Sequence, residues 1–158
     1  MYAGGAVPAR ISSCRALAWT PQRFAARPKN IMSIYDLTTE QDLETALADR
    51  ETALLDFWAP WCPPCKKFAP VFEAVSARNP DIAFCRVNTR EAEDLAAAFD
   101  VEHIPTLIVI RQRILLASQP GYLDEEKLDD LLRQVREIDM EALRREMEEA
   151  ETSAEEME

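Results

Sequence analysis

The sequence predicts an α/β sandwich, a β-sheet with helices covering both faces. Three observations carry this expectation. Thr52-Ala53-Leu54-Leu55-Asp56-Phe57-Trp58 and the run 82–87 are short and almost wholly apolar. Neither alternates apolar with polar residues, so both read as strands buried on their two faces. Segments with helical spacing separate these runs, and a close pair of strand-like runs precedes a last helix. The resulting order is β-α-β-α-β-β-α after a leading helix.

Each element has a local reason. Thr38-x-x-Gln41 has the pattern of a capping box, with Leu43, Ala46 and Leu47 following at helical spacing, which predicts a helix over about 39–49. Residues 52–58 form the first central strand. Phe68, Val71, Phe72 and Val75 share one face of the next helix, with Pro70 expected to kink it. Residues 82–87 form the second central strand. Asn88-x-x-Glu91 is a candidate cap for a helix whose Leu95, Ala98 and Phe99 share a face. Residues 106–110 and 114–117 are the last two strand-like runs. Arg111-Gln112-Arg113 between them is short enough for a hairpin but lacks the usual glycine. After Gly121, Asp124 can cap a final helix with Leu128, Leu131, Leu132, Val135 and Ile138 facing inward. That helix is expected to run on past Leu143 and Met147 as a solvated, charged stretch. No internal repeat interrupts the series.

Charge divides the chain. Residues 1–32 hold Arg10, Arg15, Arg23, Arg27 and Lys29 and no acid, so they contribute +5 to a net charge of -11 and the other 126 residues carry -16. This reversal marks a boundary. The basic, Gly- and Pro-containing segment 1–32 reads as disordered. It is either an organellar presequence or a product of upstream start-site assignment, with translation beginning at Met32. Residues 33–137 then form the folded domain. Residues 138–158 have nine acids against Arg144 and Arg145, for -7, and read as an acidic helix or tail. A net charge of -11 argues against a nucleic-acid partner, which requires a basic surface. No apolar run approaches the length that spans a bilayer, so a soluble protein is expected.

Four cysteines are too few for a disulfide-stapled scaffold of this length. Cys14 falls in the basic segment and Cys85 in an apolar strand pattern, where it reads as a small core residue. Only Cys62 and Cys65 are neighbours, in Trp61-Cys62-Pro63-Pro64-Cys65. A zinc site would need a second pair, and covalent haem attachment would need histidine where Lys66 stands. Placed after a buried strand and opening a helix, Cys62 lies at the positive end of the helix dipole. That position favours its thiolate, the nucleophilic form. Cys62 is then the attacking residue, and Cys65, one turn further in, resolves the mixed disulfide. A reducing compartment with one working dithiol fits this usage.

Asp56 is the second candidate, since a carboxylate inside an apolar strand is costly to bury without a partner or a proton. It suits the task of taking the proton from Cys65. A structural buried acid bonded to backbone, or a strand-edge acid facing solvent, is the alternative. His103 is read as an exposed loop histidine, with a pH-sensitive role near the dithiol as the alternative. Lys66 and Lys67 are read as a solvated helix face.

Asp56-Phe57-Trp58-Ala59-Pro60-Trp61-Cys62-Pro63-Pro64-Cys65-Lys66 resembles the active-site stretch of thioredoxins. Ala69-Pro70, Ile104-Pro105-Thr106 and Gly121 match three further motifs of that family in the same order, so the resemblance covers about residues 33–137. It implies the thioredoxin fold, a central mixed β-sheet flanked by helices on both faces. It implies a protein-disulfide reductase whose only redox group is the Cys62–Cys65 pair. Its partners would be protein disulfides and a flavin-dependent thioredoxin reductase or similar donor. It further implies a cis Pro105 facing the dithiol, with Trp61 and Ile104 as substrate-binding surface. A cytoplasmic monomer is expected, or an organellar-matrix protein if residues 1–31 are a presequence.

Pro63 departs from the family pattern, which has glycine there. With Pro64 next to it, proline is expected to delay the start of the helix by one residue and to shift the redox balance. Two other functions compete with the reductase. One is a thioredoxin-fold chaperone or scaffold acting through the acidic tail. The other is an extracytoplasmic thiol oxidoreductase, which Pro-Pro dithiols also suit.

Overall fold

A computed structural model describes residues 34–157, so the expectations for the basic segment 1–32 lie outside the described residues. The elements are β1 (Tyr35–Leu37), α1 (Glu40–Leu47), β2 (Thr52–Trp58), α2 (Pro63–Arg78), β3 (Ile82–Asn88), α3 (Glu93–Ala98), β4 (Thr106–Arg111), β5 (Ile114–Pro120), α4 (Glu125–Glu137) and α5 (Met140–Glu156). They build a five-stranded sheet in the order β1-β3-β2-β4-β5. β1 and β2 run parallel to β3, whereas β2–β4 and β4–β5 pairs are antiparallel. The sheet is therefore mixed, with β2 central.

Strand alternation sorts the interior into two cores. Ala53, Leu55 and Phe57 of β2 point to the side covered by α1 and α3, where they meet Leu43, Leu47, Leu95 and Phe99. Leu54 points the other way, against Phe68, Phe72 and Val75 of α2 and Leu128, Leu132 and Val135 of α4. A strand buried on both faces needs apolar residues in both registers, which is why β2 and β3 show no alternation.

Several local readings are corrected. The capping box of α1 is Thr39 with Asp42, one residue later than the Thr38–Gln41 frame: Thr39 Oγ1 accepts the Asp42 N–H, and Asp42 Oδ2 accepts the Thr39 N–H at 2.9 Å. A short carboxylate at the third helical position serves the same reciprocal purpose as glutamate. Asn88 does not cap α3. Its Oδ1 accepts the Arg90 N–H at 3.1 Å in a turn that ends β3, and α3 begins after Ala92 without a side-chain cap. Leu95 and Phe99 are buried as expected, but Ala98 is exposed and Ala96 packs on the core instead.

The hairpin between β4 and β5 forms without glycine. Gln112 and Arg113 take φ values of 49° and 68°, the left-handed pair that a two-residue turn matching the strand twist requires. Gln112 is held from both ends: its N–H donates to Glu51 O at 2.7 Å, and its Oε1 accepts from Arg144 at 2.6 Å.

The C-terminal stretch is not one continuous helix. α4 stops at Ile138, whose ψ of 125° is extended, and Asp139 caps a new helix by accepting the N–H groups of Glu141 and Ala142. Arg111 reaches the end of α4, donating to Val135 O at 2.9 Å and Ile138 O at 3.1 Å. A cation there suits the negative end of the helix dipole. Past the break Met140 is buried, and Leu143 and Met147 pack on the core that α2 and α4 cover. Only the later part of α5 is solvated throughout.

Candidate active site

The site is built at the C-terminal end of β2. Ala59 N-terminal to the dithiol is fully buried, and its carbonyl accepts the Cys62 N–H at 3.2 Å. This turn delivers Cys62 to the N-cap of α2, with extended backbone (φ -89°, ψ 110°). Cys62 and Cys65 are joined as a disulfide with Cα atoms 5.3 Å apart. Cys62 Sγ accepts the N–H of Cys65 at 3.3 Å, so the sulfur occupies the place of a capping oxygen.

Pro63 and Pro64 fill the first two helical positions, and α2 starts at Pro63 rather than one residue later. The first N–H groups of a helix have no intrahelical acceptor, so two prolines there forfeit no helical hydrogen bond. The ring of Pro63 also presets a helical φ, and this outweighs the restriction that Pro64 imposes on its ψ. Cys65 thus supplies the first N–H of the helix, and that N–H is aimed at Cys62.

Both sulfurs are closely covered: Cys62 is 3% exposed and Cys65 1%. Ile104 and Trp58 pack against the pair. Trp61, directly before Cys62, is 64% exposed and forms an apolar surface beside the disulfide. The Ile104–Pro105 peptide bond is cis, and Pro105 is buried at the start of β4. Its loop is fastened on both sides. Gly121, with a φ of 93° that only glycine adopts readily, donates its N–H to Pro105 O at 2.8 Å, and the Thr106 hydroxyl donates to His103 O. The His103 side chain itself is exposed.

Asp56 is 0% exposed and shares the α2 face of the sheet with Leu54 by strand alternation. Neither carboxylate oxygen accepts a hydrogen bond from a protein group. Burial pushes its carboxyl up to about 7, against a smaller opposing pull from the Arg86 charge. Arg86 is the residue that reasoning from sequence missed. It lies in register with Asp56 on β3, with Nε 3.9 Å from Oδ2, and its guanidinium carbon stands 4.4 Å over the Trp58 ring. Asp56 is fifth in one apolar run and Arg86 fifth in the next, a match that gains meaning only once the two strands pair in parallel register.

Cys85 is a free, fully buried thiol whose burial raises its pKa well above the ordinary range, which makes it an inert core residue. Among the described residues, no group of three or more His, Cys, Asp or Glu could hold a metal ion. No helix among them is long and apolar enough to cross a membrane.

Comparison with known proteins agrees with this geometry. The family model for thioredoxin matches residues 33–134. A Streptomyces coelicolor protein named "Putative thioredoxin 2" is 40% identical over 116 residues, covering 73% of this chain and 87% of that protein. Thioredoxin C-2 of Corynebacterium nephridii is 34% identical over 93 residues, covering 58% of this chain and 86% of the relative. Among solved structures, a mutant thioredoxin from Halobacterium salinarum superposes with a TM-score of 0.64 at 28% identity, covering 73% of this chain and 98% of that one. With its mixed five-stranded sheet, its cis proline and a Cys62–Cys65 disulfide capping α2, the chain belongs to the thioredoxin family.

Proposed function

We propose that the protein is a dithiol reductase of protein disulfides, with Cys62 as nucleophile and Cys65 as resolving thiol. The observation that carries this is the cap geometry: Cys62 Sγ receives the first N–H of α2 at 3.3 Å. A negative sulfur there is favoured by the hydrogen bond and by the helix dipole, which lowers the cost of the thiolate. The Cys62 thiolate attacks one sulfur of the substrate disulfide, and the displaced substrate sulfur leaves as a thiolate that takes a proton. Cys65 then loses its proton to Asp56 and attacks the Cys62 sulfur. That step closes the Cys62–Cys65 disulfide and expels the second substrate thiolate. Two electrons have passed to the substrate, and a flavin-dependent reductase or equivalent dithiol donor returns them.

Asp56 suits this proton transfer because a carboxyl near pKa 7 can accept and return a proton at neutral pH. Exposed Trp61 and half-buried Ile104 offer apolar surface to the substrate chain, and Pro105 lies in the fastened loop beside them. We assign the activity to a monomer in a reducing compartment, the cytoplasm, where the Cys62–Cys65 pair cycles.

The test is reduction of a generic protein disulfide in the presence of a dithiol donor, together with equilibration of the pair against a glutathione series. Catalysed reduction, with a potential in the reducing range near thioredoxin's (about -270 mV), supports the reading. An oxidising potential near -120 mV would instead mark a disulfide donor.

A further inference from the structure

A groove of about 410 Å³ adjoins the dithiol on its α3 side, floored by Trp61, Ile104, Val101 and Ala96 and flanked by Glu93 and Glu102. Two of these residues, Trp61 and Ile104, also belong to the surface around the disulfide, so the groove is continuous with the site of attack. Both glutamates are exposed, and neither makes an ion pair or side-chain hydrogen bond among the described residues. No basic side chain lines the groove. Lys66 and Lys67 are exposed on α2, the other element flanking the disulfide. An apolar floor between two unneutralised carboxylates is complementary to a chain that presents an apolar residue beside a cation.

We propose that this groove selects disulfides whose attacked cysteine is flanked by lysine or arginine, with Glu93 and Glu102 as the specificity-determining residues. The proposal rests on the reductase reading and names its substrate class. Ion pairing at an exposed rim raises encounter rate and fixes register more than it adds affinity. The preference therefore belongs in kcat/KM and weakens as salt screens the charges. Apolar contact with Trp61 and Ile104 is shared by all substrates and does not discriminate.

The experiment uses the full chain, a dithiothreitol donor and three peptide disulfides that differ only beside the attacked cysteine, carrying lysine, glutamine or glutamate. The wild-type protein is expected to favour the lysine peptide over the glutamate peptide by about tenfold in kcat/KM at low salt, falling severalfold at about 0.5 M salt. Glu93→Gln/Glu102→Gln should bring the ratio near unity, and Glu93→Lys/Glu102→Lys should invert it. Glu149→Gln on α5 should leave it unchanged. Equal rates for the lysine and glutamate peptides, with the glutamine peptide still reduced, would overturn the charge selection and leave the reductase reading standing. Failure to reduce any peptide would overturn both. A ratio that survives in the double glutamine variant would place the selectivity elsewhere and remove these two residues from it.

Discussion

Asp56 and Arg86 face each other in register across the two central strands, Oδ2 to Nε 3.9 Å, with the guanidinium lying over the Trp58 ring. The separation is wider than a hydrogen bond, and both groups lack a hydrogen-bond partner at these atoms. Arg86 therefore steadies the Asp56 charge without cancelling the cost of burying it. A fully neutralised aspartate would stay ionised through the acid range and make a poor proton acceptor. One without any cation would stay protonated at neutral pH. The intermediate arrangement leaves the carboxyl near pKa 7.

This has a direct consequence for stability against pH. The carboxyl is raised to about 7 in the fold, from an unfolded value near 3.8. Between those values the folded protein binds more protons than the unfolded one, so stability falls as pH rises through the window and levels off above it. Asp56→Asn removes that slope. Denaturant melts are expected to show the variant more stable by about 2 kcal/mol at about pH 8 and near-equal to wild type at about pH 4. In stopped-flow reduction the variant should lose the rise in resolution rate that the wild type shows as pH passes about 7. Parallel pH profiles for the two proteins would leave Asp56 a structural residue.

Removing the cation should hurt most where Asp56 is charged. Arg86→Met is expected to cost about 1 kcal/mol more at about pH 8, where Asp56 is ionised in the wild type and must take up a proton in the variant, than at about pH 5, where it is protonated in both. Adding Asp56→Asn to that variant should recover most of that extra loss, a coupling read from a double-mutant cycle. Equal losses at both pH values would assign the effect to lost packing against Trp58 alone.

Pro63→Gly tests the dithiol loop. The N–H that caps Cys62 comes from Cys65, so it survives this change. Glycine frees the open, reduced loop more than the closed ring, and its own N–H adds a donor at the positive end of α2. Both effects favour the dithiol, so the reduction potential should rise by about 30 mV, equivalent to about 1.4 kcal/mol. A fall in potential, or no change within a few millivolts, would contradict this account of the proline pair.

The two halves of α5 should behave differently. Met140 is 6% exposed and closes the α2–α4 core, so Met140→Ala is expected to cost about 2 kcal/mol in chemical denaturation. Deleting residues 148–158, which lie past the last packed residue Met147, should shift the midpoint little. A large loss on that deletion would show that the distal turns contribute to the fold.

How much of this was legible depends on range. β2 was readable to the residue, because burial on both faces leaves an apolar run, interrupted only by Asp56, between Glu51 and the Ala59-Pro60 break. The dithiol and its helix were readable because their chemistry is local. β1, at three residues, was invisible: it is fixed by the parallel pairing of Tyr35, Asp36 and Leu37 with β3, some fifty residues away, and by burial of Leu37 in the core. The break at Ile138 was hidden because Leu143 and Met147 continue a helical period across it, and only Asp139 as a cap betrays the restart. The start of α2 was misjudged because local rules for consecutive prolines omit the freedom of the first helical positions from hydrogen bonding. The tie from Arg86 to Asp56 was missed for the same reason as β1. A pairing across strands has no signature within either strand.

The inequality of the two cysteines is the central claim, and trapping with a protein disulfide tests it most directly. Cys65→Ser keeps the capped nucleophile and loses the resolving thiol, so it should accumulate a covalent mixed disulfide that is visible on non-reducing gels and released by dithiothreitol. Cys62→Ser should accumulate none, because Cys65 lies inside the first turn of α2 and lacks the N-cap position that favours a thiolate. Equal trapping by both variants, or reductase activity retained by Cys62→Ser, would contradict the assignment.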